Sequence, residues 1–157
     1  MLVIFWDLDD TIIDTREQYI LEDIDQIMAD PKRIAKLKIP RNTMNILITG
    51  RSYQHKFRMM RQLRKANIRM DKSIFSPFLE SEYGASDFLV RYWPWKISTI
   101  LNEKKELDQI LIDPKYLAVD DDATIISMIN RLTRQKRNGI IKTKHISKFR
   151  RSISIKG

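Results

Sequence analysis

Six acidic residues fall in two groups, each placed directly after a short apolar run. Asp7, Asp9 and Asp10 follow residues 2–6, and Asp120, Asp121 and Asp122 follow residues 116–119. An apolar run of this length ended by acids reads as a strand inside a parallel sheet. Its carboxyl end is where open α/β sheets place their ligand sites. Carboxylates crowded there repel one another unless a cation or a shared proton compensates. A hard, oxygen-liganded ion such as Mg2+ is the natural compensator. Helix capping, by Asp10 or Asp14 for instance, accounts for one acid per strand end but not for three.

Two further elements suit a phosphoryl group. Thr49, Gly50 and Arg51 end another apolar run, residues 45–49, and offer a hydroxyl and backbone N–H groups to phosphate oxygens. Taken alone, Thr-Gly after a strand is common. Lys96 lies among Trp93, Pro94, Trp95 and Ile97. A lysine so placed is either a surface residue with a buried stem or a buried cation that needs an anionic partner.

The elements that must position these residues alternate in type. Apolar runs at 2–6, 45–49 and 116–119 read as central strands, with weaker strands at 73–75 and 139–142. Helical spacing at Ile20, Ile24, Ile27 and Met28 predicts a helix over residues 15–38, broken near Asp30-Pro31. Helices are also expected over 53–66, with Phe57, Met60 and Leu63 inward, over 95–101 and over 125–132. Residues 78–91 read as loop. Strands alternating with helices imply an α/β fold with a central, mostly parallel sheet in a three-layer sandwich.

Composition sets outer limits. A chain of 157 residues suits one domain, and 43% hydrophobic residues can build its core. Cysteine is absent, which excludes thiolate metal sites and thiol nucleophiles. No apolar stretch is long enough to cross a bilayer, so no membrane partner is expected. The N-terminal run lacks a basic leader and reads as strand, so a cytoplasmic setting is the expectation. The formal charge of +9 favours polyanionic partners, nucleic acid first. Residues 131–157 carry ten Lys and Arg and no acid. They read either as a solvated tail or as a binding arm. His55 and His145 have no evident partner in the sequence.

Taken in order, the four elements resemble the motifs of the haloacid dehalogenase (HAD) superfamily. These are Asp7-Leu8-Asp9-Asp10-Thr11, Thr49 in ILITGR, Lys96, and Asp120-Asp121 in YLAVDDD. The resemblance spans residues 2 to about 142. It implies a HAD-like phosphatase domain over 1–144 with little or no cap, followed by a basic tail over 145–157. It implies Asp7 as nucleophile and Asp9 as general acid and base. Mg2+ would be held by Asp7, the Asp9 carbonyl and Asp121 or Asp120, with Asp121 preferred. Thr49 and Lys96 would hold phosphoryl oxygens, and Thr11 would support the loop. Asp10 stands where many members carry glycine, and Asp122 adds a third acid to the last motif.

From Thr49 onward the chain is similar to the 3′-phosphatase domains of bacteriophage polynucleotide kinase/phosphatases. The likeness lies in the Thr-Gly-Arg turn, the arginine-rich helix after it, Trp95-Lys96 and the LAVDD strand. It implies polynucleotide ends, DNA or RNA, as substrate. Gly50 would then contact the phosphate, and Arg51, Lys56, Arg58, Arg61, Arg64 and Lys65 would either line a backbone-binding face or form an ordinary solvated helix face. Tyr92, Trp93 and Trp95 would either stack on bases or pack in the core. No GxxxxGK[ST] phosphate loop occurs. Two alternatives stay open: a nucleoside monophosphate phosphatase, and an inactive HAD-like module that binds nucleic acid.

Overall fold

The structure is a computed structural model that describes residues 1–16, 23–135 and 139–157. Its centre is a strand of bulky apolar residues, β1 (Leu2–Trp6). Val3, Ile4, Phe5 and Trp6 are all buried. Alternate residues along a strand face opposite sides. Ile4 and Trp6 therefore join one core and Val3 and Phe5 the other.

Five strands form the main sheet. The others are β3 (Thr43–Ser52), β4 (Lys72–Ser76), β5 (Lys115–Asp120) and β6 (Ile141–His145). All neighbours pair in parallel, in the order β4-β3-β1-β5-β6. The chain builds one side of β1 first, then crosses back to lay β5 and β6 on the other. Such a reversal opens a crevice at the strands' carboxyl ends, and both acid groups sit there.

Helices cover the two faces. One core packs α1 (Ile24–Met28) and α2 (Lys56–Lys65) through Ile24, Ile27, Met59 and Leu63. The other packs α3 (Phe88–Ile110) and α4 (Ala123–Gln135) through Ile97, Ile100, Leu107, Ile125 and Ile129. The α/β sandwich inferred from the sequence is observed. No helix among the described residues is long and apolar enough to cross a membrane.

Local readings needed correction. The break expected at Asp30-Pro31 is observed, but no second helical piece follows it. After α1 come a 3-10 turn (Pro31–Arg33) and strand β2 (Lys36–Lys38), because Pro31 ends helical geometry and Asp30 caps the turn. Ile20 lies outside the described residues. Residues 53–55 form a 3-10 turn before α2, and Phe57 is 88% exposed while Met59 takes the inward position. The strand at 45–49 runs on through Gly50 to Ser52. The last strand of the sheet starts two residues later than expected, at Ile141. Part of the expected loop at 78–91 is already α3, so Lys96 lies well inside that helix, beyond Pro94.

The basic tail is folded onto the domain. Strand β7 (Ser152–Ser154) pairs in parallel with β2. Ile146, Ile153 and Ile155 are buried in the same core as Ile24 and Ile27. Alternating isoleucines supply the apolar side that a solvated tail lacks.

Candidate active site

The site forms where β1, β3 and β5 end. Asp7 leaves β1 with its N–H donated to the Val119 carbonyl, which ties the two acid groups together. Lys96 reaches up from α3 and is 1% exposed. Its Nζ lies 2.6 Å from Asp7 Oδ1 and 2.7 Å from Asp120 Oδ2. Burial alone would push its pKa down, but the two carboxylates outweigh burial and hold it well above the ordinary lysine value. Lys96 is thus a permanent buried cation, not a surface lysine. Thr11 Oγ1 donates to the other Asp7 oxygen at 2.9 Å.

Asp9 is tied to the end of β3. Arg51 Nη2 donates to Asp9 Oδ1 at 2.7 Å, and Nε spans both oxygens at 3.0 and 3.1 Å. Burial raises the Asp9 pKa, and Arg51 offsets only part of that rise. Arg51 therefore holds an acid here, in addition to lining the pocket.

Asp121 has no such partner. Burial first, then the charge of Asp7, raise its pKa strongly, and the same two causes raise that of Asp120. Asp7, Asp120 and Asp121 bring one carboxylate oxygen each within 4.8 Å of one another. Among the described residues Lys96 is the one cation in direct contact with this trio; with all three carboxylates ionised, as metal binding requires, two negative charges would be left over in a buried space. An all-oxygen donor set with excess negative charge suits a hard divalent cation. Asp121 lines the pocket and Asp120 does not; the Asp120 carboxylate is engaged by Lys96 and by the Asp122 N–H.

The third acid of each group organises backbone. Asp10 sits at φ 60, a left-handed conformation in which glycine, Asn and Asp are at home. Its Oδ1 accepts from the N–H and the hydroxyl of Thr15. Asp122 accepts from the N–H groups of Thr124 and Ile125 at the start of α4, and from Trp93 Nε1. It is a helix cap.

The remaining sequence candidates divide. Gly50 lines the pocket, and a Cβ there would meet the Tyr92 ring at 2.6 Å. Thr49 is fully buried and does not line the pocket; its hydroxyl accepts the Arg51 N–H at 3.1 Å. Lys56 is exposed and away from the pocket. Arg58 is committed elsewhere, donating to Asp23 at 2.7 Å and Asp25 at 2.6 Å across the α1–α2 contact. Trp93 and Trp95 pack against the core under α3.

Of the opposite wall of the pocket, sequence reasoning singled out Tyr92 alone and missed the rest. Tyr83, Phe88, Leu89 and Tyr92 form an aromatic and apolar side facing the acids. Phe88 stacks on Tyr92, and the Tyr83 hydroxyl donates to the Gly50 carbonyl at 2.8 Å. These residues lie in a stretch without strand or helical periodicity at its start, so only the aromatics themselves gave a hint. Both histidines also have partners: His55 pairs with Glu80 and His145 with the Asp121 carbonyl.

No protein-family model, no curated protein and no solved structure matches the chain.

Proposed function

We propose that this chain is a Mg2+-dependent phosphomonoester hydrolase of the HAD type that acts through an aspartyl-phosphate on polynucleotide 3′-phosphate ends. The observation that carries the reading is the seat of Asp7. Its carboxylate is pinned by Lys96 and Thr11 beside two further acids, at the carboxyl end of the central strand. A carboxylate so fixed is positioned for in-line attack at a single phosphorus.

In the first step an Asp7 oxygen bonds to phosphorus and the bond from phosphorus to the leaving oxygen breaks. Asp9, whose pKa burial raises above the ordinary carboxylate value against the pull of Arg51, gives a proton to that oxygen. In the second step Asp9 takes a proton from water as the water oxygen bonds to phosphorus. The acyl–phosphate bond breaks, releasing inorganic phosphate and restoring Asp7. Lys96 offsets charge throughout and holds Asp7 in place. Arg51 keeps the Asp9 carboxyl aimed. Asp7 and Asp121 would hold Mg2+, with Asp120 and the Asp9 carbonyl beside them. When bound, the ion neutralises the phosphoryl oxygens and lowers the repulsion that an entering phosphate meets.

The pocket argues for a large substrate. Its cavity is about 140 Å³, below the ~300–1,000 Å³ that encloses a small-molecule ligand. It admits a phosphoryl group and the sugar next to it, while the rest of the substrate lies outside. The aromatic wall of Tyr83, Phe88 and Tyr92 suits a terminal nucleoside, and a free nucleotide would use the same wall.

The test is phosphate release from a 3′-phosphorylated oligonucleotide, a 5′-phosphorylated one and free nucleotides. The 3′-phosphorylated strand is expected to be the best substrate. Asp7→Asn should keep the fold, by circular dichroism, and lose activity by roughly 10⁴-fold or more. Full activity in that variant sinks the assignment. Much faster hydrolysis of free nucleotides transfers it to the small-molecule reading.

A further inference from the structure

The net charge of the protein is concentrated in one part of the fold. Residues 123–157 hold ten of the 29 Lys and Arg and none of the 20 Asp and Glu. Residues 1–122 are left with 19 bases against 20 acids. The whole positive excess therefore belongs to α4, β6 and the segment that follows.

Within this region a groove of about 530 Å³ runs between α4 and β6. Ser127, Asn130, Arg131, Arg134 and His145 line it. Every one of these side chains can donate a hydrogen bond, and none is an acid. Arg131 and Arg134 are exposed and have no ion-pair partner among the described residues. Thr143 donates to Asn130 Oδ1 at 3.0 Å, which leaves the Asn130 amide N–H groups to an outside acceptor. One end of the groove, at Ala123 and His145, adjoins the Asp121-Asp122 segment that lines the active-site pocket, and His145 Nε2 lies 2.9 Å from the Asp121 carbonyl. From Ala123 to Arg134, α4 then leads away for roughly 16 Å at about 1.5 Å per residue.

The arginine-rich helix α2 is a poorer surface. Arg58 is taken up by Asp23 and Asp25, and Gln62 also donates to Asp25. Two acids thus lie beside α2 and take up Arg58, one of its five bases, whereas no acid lines the α4–β6 groove.

We propose that the α4–β6 groove is the track for the polyanionic strand whose end occupies the active site, with successive phosphates on Arg131 and Arg134. A lining of cations and neutral donors beside the aliphatic Ala123 and Ile126, without stacking aromatics, recognises a phosphate backbone and not its bases. A single strand is the occupant, since it can bend from the cavity into a groove on the adjacent helix. The location of its end rests on the phosphatase reading above.

The experiments separate the two claims. Release of p-nitrophenol from p-nitrophenyl phosphate by the full chain tests the phosphatase chemistry alone. Binding of a fluorescent single-stranded oligonucleotide to the Asp7→Asn chain, followed by anisotropy against salt, tests the track alone. Losing two phosphate contacts should lower the salt slope by about 1.4, at ~0.7 per phosphate. The Arg131→Ala, Arg134→Ala double variant should therefore bind roughly 20-fold more weakly at about 0.1 M salt. Its kcat/KM on the 3′-phosphorylated strand should fall by a similar factor relative to that on p-nitrophenyl phosphate. Unchanged affinity and slope in this variant overturn the track. So does an equal loss from Arg61→Ala, Arg64→Ala on α2. Displacement of the strand by polyglutamate as readily as by an unlabelled strand also overturns it, because the partner would then be an acidic protein. If p-nitrophenyl phosphate is not hydrolysed but the strand still depends on Arg131 and Arg134, the track stands and the phosphatase reading falls.

Discussion

The ends of β1 and β5 carry three acids each, and the fold assigns two of the three pairs in parallel. Asp7 and Asp120 share Lys96. Asp10 and Asp122 turn their carboxylates back on the chain, one to Thr15 and one to the start of α4. The middle acids differ. Asp9 has Arg51 in a fork, whereas Asp121 has only neighbouring carboxylates and the Asp120–Lys96 pair close by. The β1 end is therefore balanced within the protein and the β5 end is not. On the proposed Mg2+-dependent reading, that difference points to Asp121 as the acid whose charge an external cation would compensate. It also separates an acid held by an arginine, Asp9, from one that would give up its proton only when a metal binds.

The strongest way to break this comparison is to remove the cation both ends share. Lys96→Met keeps the length of the side chain and strands two buried carboxylates. Removing one partner of a buried ion pair costs about 3–5 kcal/mol. Urea unfolding at pH 7 should show that loss, and the deficit should shrink toward pH 5 as the carboxyls take up protons. A Lys96→Met chain as stable as the parent would mean that the acids at the two ends do not depend on one another.

Asp121 offers the next largest effect and fixes its sign. Its pKa is raised in the folded state by burial and by Asp7, above the ordinary value of 3.8. The folded chain then holds a proton that the unfolded chain releases. Stability from this group is present at low pH and is lost as pH rises above that ordinary value through the folded pKa. Without metal, the protein should weaken from acid toward neutral pH. Asp121→Asn should weaken that trend, leaving the parts due to Asp120 and Asp9, and raise metal-free stability by about 1 kcal/mol, roughly 3 °C in Tm. Mg2+ should stabilise the parent more at pH 8 than at pH 5.5, because its ligands must be deprotonated. Saturation at 100 times Kd corresponds to about 2.7 kcal/mol. Scanning calorimetry with and without Mg2+ measures both. A stabilisation by Mg2+ that is equal in the Asn variant would remove Asp121 from the metal site.

How far the sequence reveals this arrangement depends on which force sets each part. Strands β1, β3 and β5 were legible because a strand buried on both faces must be apolar throughout. Their terminal acids stood out against that background. The pairing of Arg51 with Asp9 was not legible, since a long side chain at a strand end can turn to a phosphate or to an acid. Only the neighbouring strand decides. Arg58 was misjudged for the same reason: its partners, Asp23 and Asp25, lie on another helix. Residues 145–157 looked like a tail because four bases, Lys148, Arg150, Arg151 and Lys156, masked the buried alternation of Ile153 and Ile155. Their partner strand β2 is three residues long and 115 or so positions away in sequence, beyond the reach of any local pattern.

The smallest effect separates the two third acids, which resemble each other in sequence and in turning inward. Asp122→Ala removes a helix cap, a loss of ~1 kcal/mol. Asp10→Ala removes two hydrogen bonds to Thr15 and also places a Cβ without a polar side chain at φ 60. The left-handed backbone suits Ala less well than Asp, and that difference adds to the lost bonds, each worth ~1 kcal/mol. Asp10→Ala should therefore be the more damaging, and Asp10→Gly should recover the backbone part but not the bonds. Equilibrium unfolding of the three variants resolves the order. If Asp122→Ala proves the worse, the capping of α4 and the Trp93 contact matter more than the β1 turn, and the β5 end is the more rigid frame of the site.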